Sequence, residues 1–331
     1  MNLRSVAVAS LILFEVLSWA AAPASGQKSS PPPVRTVVDL SSAELAATFP
    51  EFKNLKFEQI QDDLQPLLDK VADRVNALFQ DFPNTSSRER VRLQRMNLDE
   101  QVTYSTNKDF QYLLVARGAP MESAVANSVL GEPVSSENEV NIHEYRTDSR
   151  GREVDTKFLG APYLITGGYA LAPLFFHPSY RAGATFRYVG REAAMSRAHV
   201  IAFAQVPAKS RLAGTFNSII GPISFYVQGF AWVDPSGYQI LRMRLELLTP
   251  LTQVGLLKQT TEIRMQEVHF NQVQRTLWLP SEAVVTSRYM AYLYRNRHQY
   301  LEYRLFTVDT REDQKHIIGN KPPISELEPN E

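Results

Sequence analysis

The chain has 331 residues, 44% of them hydrophobic, and carries 35 Lys and Arg against 35 Asp and Glu, a formal net charge of zero. That size supports a substantial core, and the neutral balance supplies no bulk attraction to nucleic acid or to an anionic membrane surface. Cysteine is absent, which excludes disulfides, thiolate nucleophiles, Cys-ligated zinc, iron–sulfur clusters and the lipidated cysteine of a bacterial lipoprotein.

Residues 1–26 read as a secretory signal peptide. Arg4 supplies the positive start and Val6 to Phe14 the short apolar run. Ala22-Pro23-Ala24 or Ala24-Ser25-Gly26 then supplies the cleavage box. Glu15 interrupts the apolar run well short of the roughly 20 residues needed to span a bilayer. The expected location is exported, periplasmic or extracellular, with no transmembrane span in the mature chain. Residues 27–40 form a Pro/Ser linker.

Residues 41–160 read as a helical segment followed by the first strands. Ser41 and Glu44 match a capping box, so a short helix starts there and stops before Pro50. Ile60, Leu64, Leu67, Leu68, Val71, Val75, Leu78 and Phe79 recur at helical spacing. Pro66 places the start of that helix near Asp63 or kinks it. Arg88 to Met96 resembles an edge or half-exposed strand, and Asp109 to Ala116 a buried one. Gly118 to Val140 reads as a long loop, and Arg146 to Arg152 as a polar turn between strands.

Residues 161–310 read as an antiparallel sheet. Tyr163 to Phe176 is the most apolar internal run, and Gly167-Gly168 and Pro173 interrupt it. It fits either a short helix plugged into the core or an exposed apolar lid. Strands follow at 185–189, 198–205, 223–233, 238–248, 258–270, 276–287 and 299–308. A hairpin over Ile223–Leu247 turns at Asp234-Pro235-Ser236-Gly237. Its second arm places Leu241, Met243, Leu245 and Leu247 on one face, with Arg242, Arg244 and Glu246 on the other. Between Met265 and Val268 the alternation slips by one, the mark of a β-bulge. Residues 311–331 read as a loosely ordered tail.

No motif names a reaction. The chain has no G-x-S-x-G elbow, no P-loop and no G-x-G-x-x-G, and His143-Glu144 lacks the second histidine of a zinc helix. The six histidines are scattered without i, i+2 or i, i+4 pairs, so each reads as a surface or hydrogen-bonded histidine. Arg and Tyr interleave from Ser287 to Phe306, a mixture that can stack on sugars or nucleic acid but equally suits the wet face of a sheet.

One resemblance emerges from Gly229-Phe230-Ala231-Trp232-Val233-Asp234, Ile240-Leu241-Arg242 and Leu277-Trp278-Leu279-Pro280. The order of these strand ends, between about Phe186 and Phe306, resembles the periplasmic lipoprotein-carrier superfamily, the half-barrels of outer-membrane lipoprotein-sorting proteins. The resemblance implies an incomplete barrel curled around helices, with an apolar concavity for acyl chains. Its inward residues would be Phe203, Phe225, Trp232, Leu241, Met243, Ile263 and Met265. The competing expectation is that these side chains pack on Leu67, Val71 and Leu78 and leave no cavity. The extra module from Arg35 to about Gly160 departs from a plain carrier.

The expected fold is thus α+β, a large curved antiparallel β-sheet, half-barrel-like, with a long amphipathic helix packed on it. The expected function is a non-enzymatic envelope protein that binds a lipid or acyl chain, without cofactor, metal or nucleic acid. The alternatives are a structural component with a filled core and an envelope protein partner, or an exported hydrolase.

Overall fold

The computed structural model describes residues 35–80, 82–116, 140, 142–154, 167–193, 197–218, 220–271 and 273–306. The leader, most of the 27–40 linker, nearly all of the 118–140 loop and the 311–331 tail lie outside them.

Helix α1 (Ser42–Thr48) begins on the expected capping box. Ser41 N–H donates to Glu44 Oε2 at 2.7 Å, and Ser41 Oγ accepts from Glu44 N–H at 3.3 Å. Helix α2 (Leu64–Phe79) has Asp63 as N-cap, so Pro66 falls in the first turn, where its missing N–H costs no helical bond. Its buried stripe is Leu67, Leu68, Val71, Ala72, Val75 and Phe79. Ile60, expected to begin that stripe, precedes the helix and is 64% exposed.

The strands are β1 (Leu55–Phe57), β2 (Thr85–Met96), β3 (Val102–Ala116), β4 (Ile142–Thr147), β5 (Ala184–Glu192), β6 (His199–Gln205), β7 (Gly214–Ser218), β8 (Gly221–Phe225), β9 (Val227–Val233), β10 (Ile240–Leu247), β11 (Leu256–Phe270), β12 (Arg275–Tyr289) and β13 (Tyr292–Leu305). Eleven of them form one antiparallel sheet in the order β1-β5-β6-β9-β10-β11-β12-β13-β2-β3-β4, open at both edges, while β7 and β8 pair separately. The sheet is the expected half-barrel, with α2 packed on its inner face.

Two strand readings need correction. The expected 223–233 strand is broken at Tyr226, and its first residues form the β7–β8 hairpin. Of the two readings of Arg88–Met96, the half-exposed strand holds and the edge does not: β2 lies between β13 and β3, paired along most of its length. Its arginines look edge-like because they alternate onto the solvent face. A register shift falls beside the expected bulge, between Arg264 and Met265. Its extra residue is Ser281 on β12, since Arg264 faces Glu282 and Met265 faces Pro280; from Met265 to Phe270 the pairing runs without a shift.

Alternation makes two large cores and a small third cluster of Val91, Leu93 and Phe110. On the inner face, α2, the buried segment 167–176 and the inward residues of the sheet form the main cluster. On the outer face, Leu45, Phe49 and Phe52 cover Val200, Ala202, Phe230 and Trp232. Strand β6 is consequently buried along its whole length, its even and odd residues serving different cores.

Candidate functional site

The inner face has an apolar half. Phe203, Phe225, Met243, Ile263 and Met265 all join the cluster beneath α2, and none exceeds 8% exposure. Phe203 lies between Phe175 and Phe176, with ring centroids 5.2 and 5.6 Å away. Trp232 and Leu241 do not join them. On β9, Ala231 and Val233 point inward, which sends Trp232 to the outer cluster. Leu241 follows because the β9–β10 register slips between Ile240 and Arg242, so Ile240 takes the inward place. There the Arg242 guanidinium lies 4.2 Å from the centroid of the Trp232 ring.

Where α2 meets the β11–β12 end of the sheet, the apolar core opens into a groove of about 130 Å³. Val75, Leu78, Pro173, Ile240, Met265 and Leu277 line it with Trp278, and Arg74 and Arg275 stand among the lining residues. Met265 alone of the seven expected residues reaches this groove. Arg275 also caps the helix end, donating to the carbonyls of Ala77 at 3.3 Å and Gln80 at 2.6 Å.

The other half of the inner face is ionic. Glu89, with no exposed surface, accepts from Arg146 at both oxygens, at 2.5 and 2.9 Å. Its Oε1 also accepts from Tyr300 Oη at 2.9 Å and lies 2.7 Å from His298 Nδ1. Burial pushes the Glu89 carboxyl up, but Arg146 and His298 outweigh it and hold it at about 2. An ionised Glu89 places the histidine proton on Nδ1, so Nε2 is free to accept the Tyr169 hydroxyl 3.2 Å away. Burial lowers the His298 pKa, against the pull of Glu89.

Glu144 neighbours this cluster, 3.5 Å from Arg146, and accepts the backbone N–H of Gly168 at 2.5 Å. Burial raises its pKa to about 7, with Arg146 opposing and Glu89 adding to the rise. Two tethers, Glu144 to Gly168 and His298 to Tyr169, therefore pin the buried segment 167–176 to the sheet. That segment enters the core as a single 3-10 turn over Ala172–Phe176, all five residues buried. This is the plug of the two readings open at its sequence, and not the exposed lid.

Sequence reasoning placed none of these polar residues in a site. Arg146, expected in a polar turn, is the fifth residue of β4 and 6% exposed. In the sequence His298 stands isolated from every other histidine. Glu89 carried a usable signal: Thr85, Ser87, Glu89, Val91 and Leu93 alternate with exposed or half-exposed partners, so a carboxylate shares the inward face. Its partners lie 57 and 209 residues away, and no local pattern announces them. Among the described residues no group of three or more His, Cys, Asp or Glu could hold a metal, and no helix is long and apolar enough to cross a membrane.

No family model and no curated protein matches the chain. Solved structures do. One is a domain named for outer membrane lipoprotein sorting, from Vibrio parahaemolyticus, with 11% identity and a TM-score of 0.38 over 76% of this chain and 97% of that one. Another is a DUF1329 family protein from Desulfovibrio piger, with 9% identity and a TM-score of 0.41 over 77% and 97%. Likeness at this level leaves the functional reading to the chain's own residues.

Proposed function

We propose that the protein is an exported, non-enzymatic component of the cell envelope that binds an apolar chain, such as an acyl tail, between α2 and the half-barrel. The groove at the end of α2 carries this reading: it is the place where the apolar core reaches the surface, with cationic side chains beside it. At about 130 Å³ it is smaller than the roughly 300 Å³ at which ligand pockets begin. A whole chain therefore enters only as α2 lifts. Polar ties oppose that motion weakly: an Asp69–Arg181 ion pair, a Lys70–Tyr238 hydrogen bond and the Arg275 cap. Each buried methylene returns about 0.8 kcal/mol, so a chain of a dozen carbons offsets about 10 kcal/mol of displaced helix packing.

The test is uptake of a fluorescent fatty acid, with native mass spectrometry of the purified protein. Saturable one-to-one binding is expected, weakened at least tenfold by Leu78→Trp, which fills the groove from a half-buried position. Absence of uptake by the wild-type chain, or uptake indifferent to Leu78→Trp in a folded variant, refutes the proposal. The second reading, an interaction component with a filled core, draws support from the five candidate residues packed beneath α2. It predicts that no chain is taken up.

A further inference from the structure

The zero net charge of the chain conceals a segregated face. The α1 segment covers the outer side of β6 and β9, but it leaves the outer side of β11, β12, β13 and β2 exposed. Across these strands and the neighbouring β10, cations stand directly opposite one another: Arg242 faces Arg264, Lys258 faces Arg288, and Arg297 faces Arg92. Like charges in register destabilise a sheet, so three such pairs on one face are unexplained by folding alone. Only part of this charge is neutralised. Arg242 pairs with Glu262 at 2.9 Å, and Arg297 pairs with Glu282. Arg92, Arg264, Arg288 and Arg295 have no ion pair among the described residues.

The relief of the face suits small anionic groups. Short side chains at Thr260, Val284 and Thr286 leave a depression of about 300 Å³ lined by Arg264 and Arg295 and also by Glu262 and Glu282, whose carboxylates are engaged by Arg242 and Arg244 and by Arg297. Neighbouring strands lie about 4.8 Å apart, so guanidinium groups are presented as a grid and not as a single cluster. The outward positions from Lys258 to Arg264, Glu282 to Arg288 and Arg88 to Gln94 hold no aromatic ring. A protein partner is normally anchored by buried aromatic residues at the centre of its interface; a layer of phosphate headgroups needs only distributed charge and bidentate donors.

We propose that this outer face adsorbs to an anionic phospholipid surface, with a lipid phosphate seated in the depression between Arg264 and Arg295. The proposal is independent of whether the groove binds a chain. In the proposed function it holds the carrier at the membrane with the opposite face of the sheet turned away.

Co-sedimentation of the full chain with phosphatidylglycerol and with phosphatidylcholine vesicles, across a salt series, tests it. Binding is expected to phosphatidylglycerol only, falling steeply as salt rises. The triple variant Arg92→Gln, Arg264→Gln, Arg295→Gln is expected to lower partitioning about a hundredfold, with circular dichroism reporting its fold. Leu78→Trp is expected to leave vesicle binding unchanged, so failure of the groove and failure of the face are read separately. Equal, salt-insensitive binding to both vesicle types indicates apolar insertion and overturns the proposal. So does the absence of binding at low salt, or a folded triple variant that binds as well as wild type. Capture by soluble polyglutamate in preference to phosphatidylglycerol vesicles also overturns it, in favour of an acidic protein partner. Should the triple variant not fold, the lipid preference and salt dependence of the wild-type chain still decide.

Discussion

Beneath α2 the inner face is covered by Met243, Ile263 and Phe203; beneath Gly168 and Tyr169 it is covered by Glu89, Arg146, His298 and Tyr300. Both halves are buried, and they are held differently. The apolar half gains stability with buried area and accepts many neighbours of suitable volume. The ionic half gains little net energy from its charges, because desolvation offsets their attraction, but each member becomes costly if its partner is lost. Such a cluster fixes where the 167–176 segment sits, and the apolar half fills whatever space that placement leaves. The helix is held mainly by area, whereas the 167–176 segment is tethered by hydrogen bonds from Gly168 to Glu144 and between Tyr169 and His298.

The largest effect should come from breaking the ionic half. Glu89→Ala removes both close carboxylate contacts of the buried Arg146 guanidinium, leaving it the more distant Glu144 at 3.5 Å, and a loss of about 3–5 kcal/mol is expected by urea denaturation. Replacing Glu89 and Arg146 together by Met should recover much of it, while Phe203→Leu in the apolar half should cost less than about 1.5 kcal/mol. A loss under 1 kcal/mol for Glu89→Ala would erase the distinction between the halves.

A smaller, pH-dependent effect should sharpen it. The Glu144 carboxyl is raised from 4.5 to about 7, so the folded state holds its proton more tightly than the unfolded chain does. Its contribution is complete below pH 4.5 and is lost as pH rises through 7. The difference corresponds to about 3 kcal/mol at most. Glu144→Gln stays neutral and can still accept the Gly168 N–H. Its melting temperature, relative to wild type, should climb between pH 4.5 and 7 and then level off. A flat difference across that window would show that Glu144 does not titrate in it.

The smallest effect belongs to the surface. Asp69 and Arg181 form a 2.7 Å pair with side chains 51% and 30% exposed, so Arg181→Met should cost less than about 1 kcal/mol and nothing at high salt. Thermal melts at two salt concentrations check this. A larger, salt-insensitive loss would mean that α2 is locked to the 181 turn by more than packing.

Much of the architecture is legible from local chemistry alone. The capping box at Ser41, the α2 stripe and the Asp234–Gly237 turn are all local patterns, and each appears where its residues predict. The candidate site is legible only in part. Period two correctly groups Met243 with Leu245 but places Leu241 with them, because a single extra residue in β10 reverses every side chain before it. Trp232 was assigned inward by analogy, although its own alternation with Ala231 and Val233 sends it outward.

By itself the sequence determined a cysteine-free antiparallel sheet with one long amphipathic helix, since periodicity, caps and turns act over a few residues; the half-barrel was only what the family resemblance implied. Tertiary structure alone decided which distant charges meet. Glu89 finds His298 only because β2 pairs with β13, and the same pairing sets Arg92 opposite Arg297 on the outer side. Net charge is a sum over the chain and carries no position. The sheet register converts a neutral sequence into a molecule with an ionic core on one face and a partly neutralised arginine grid on the other.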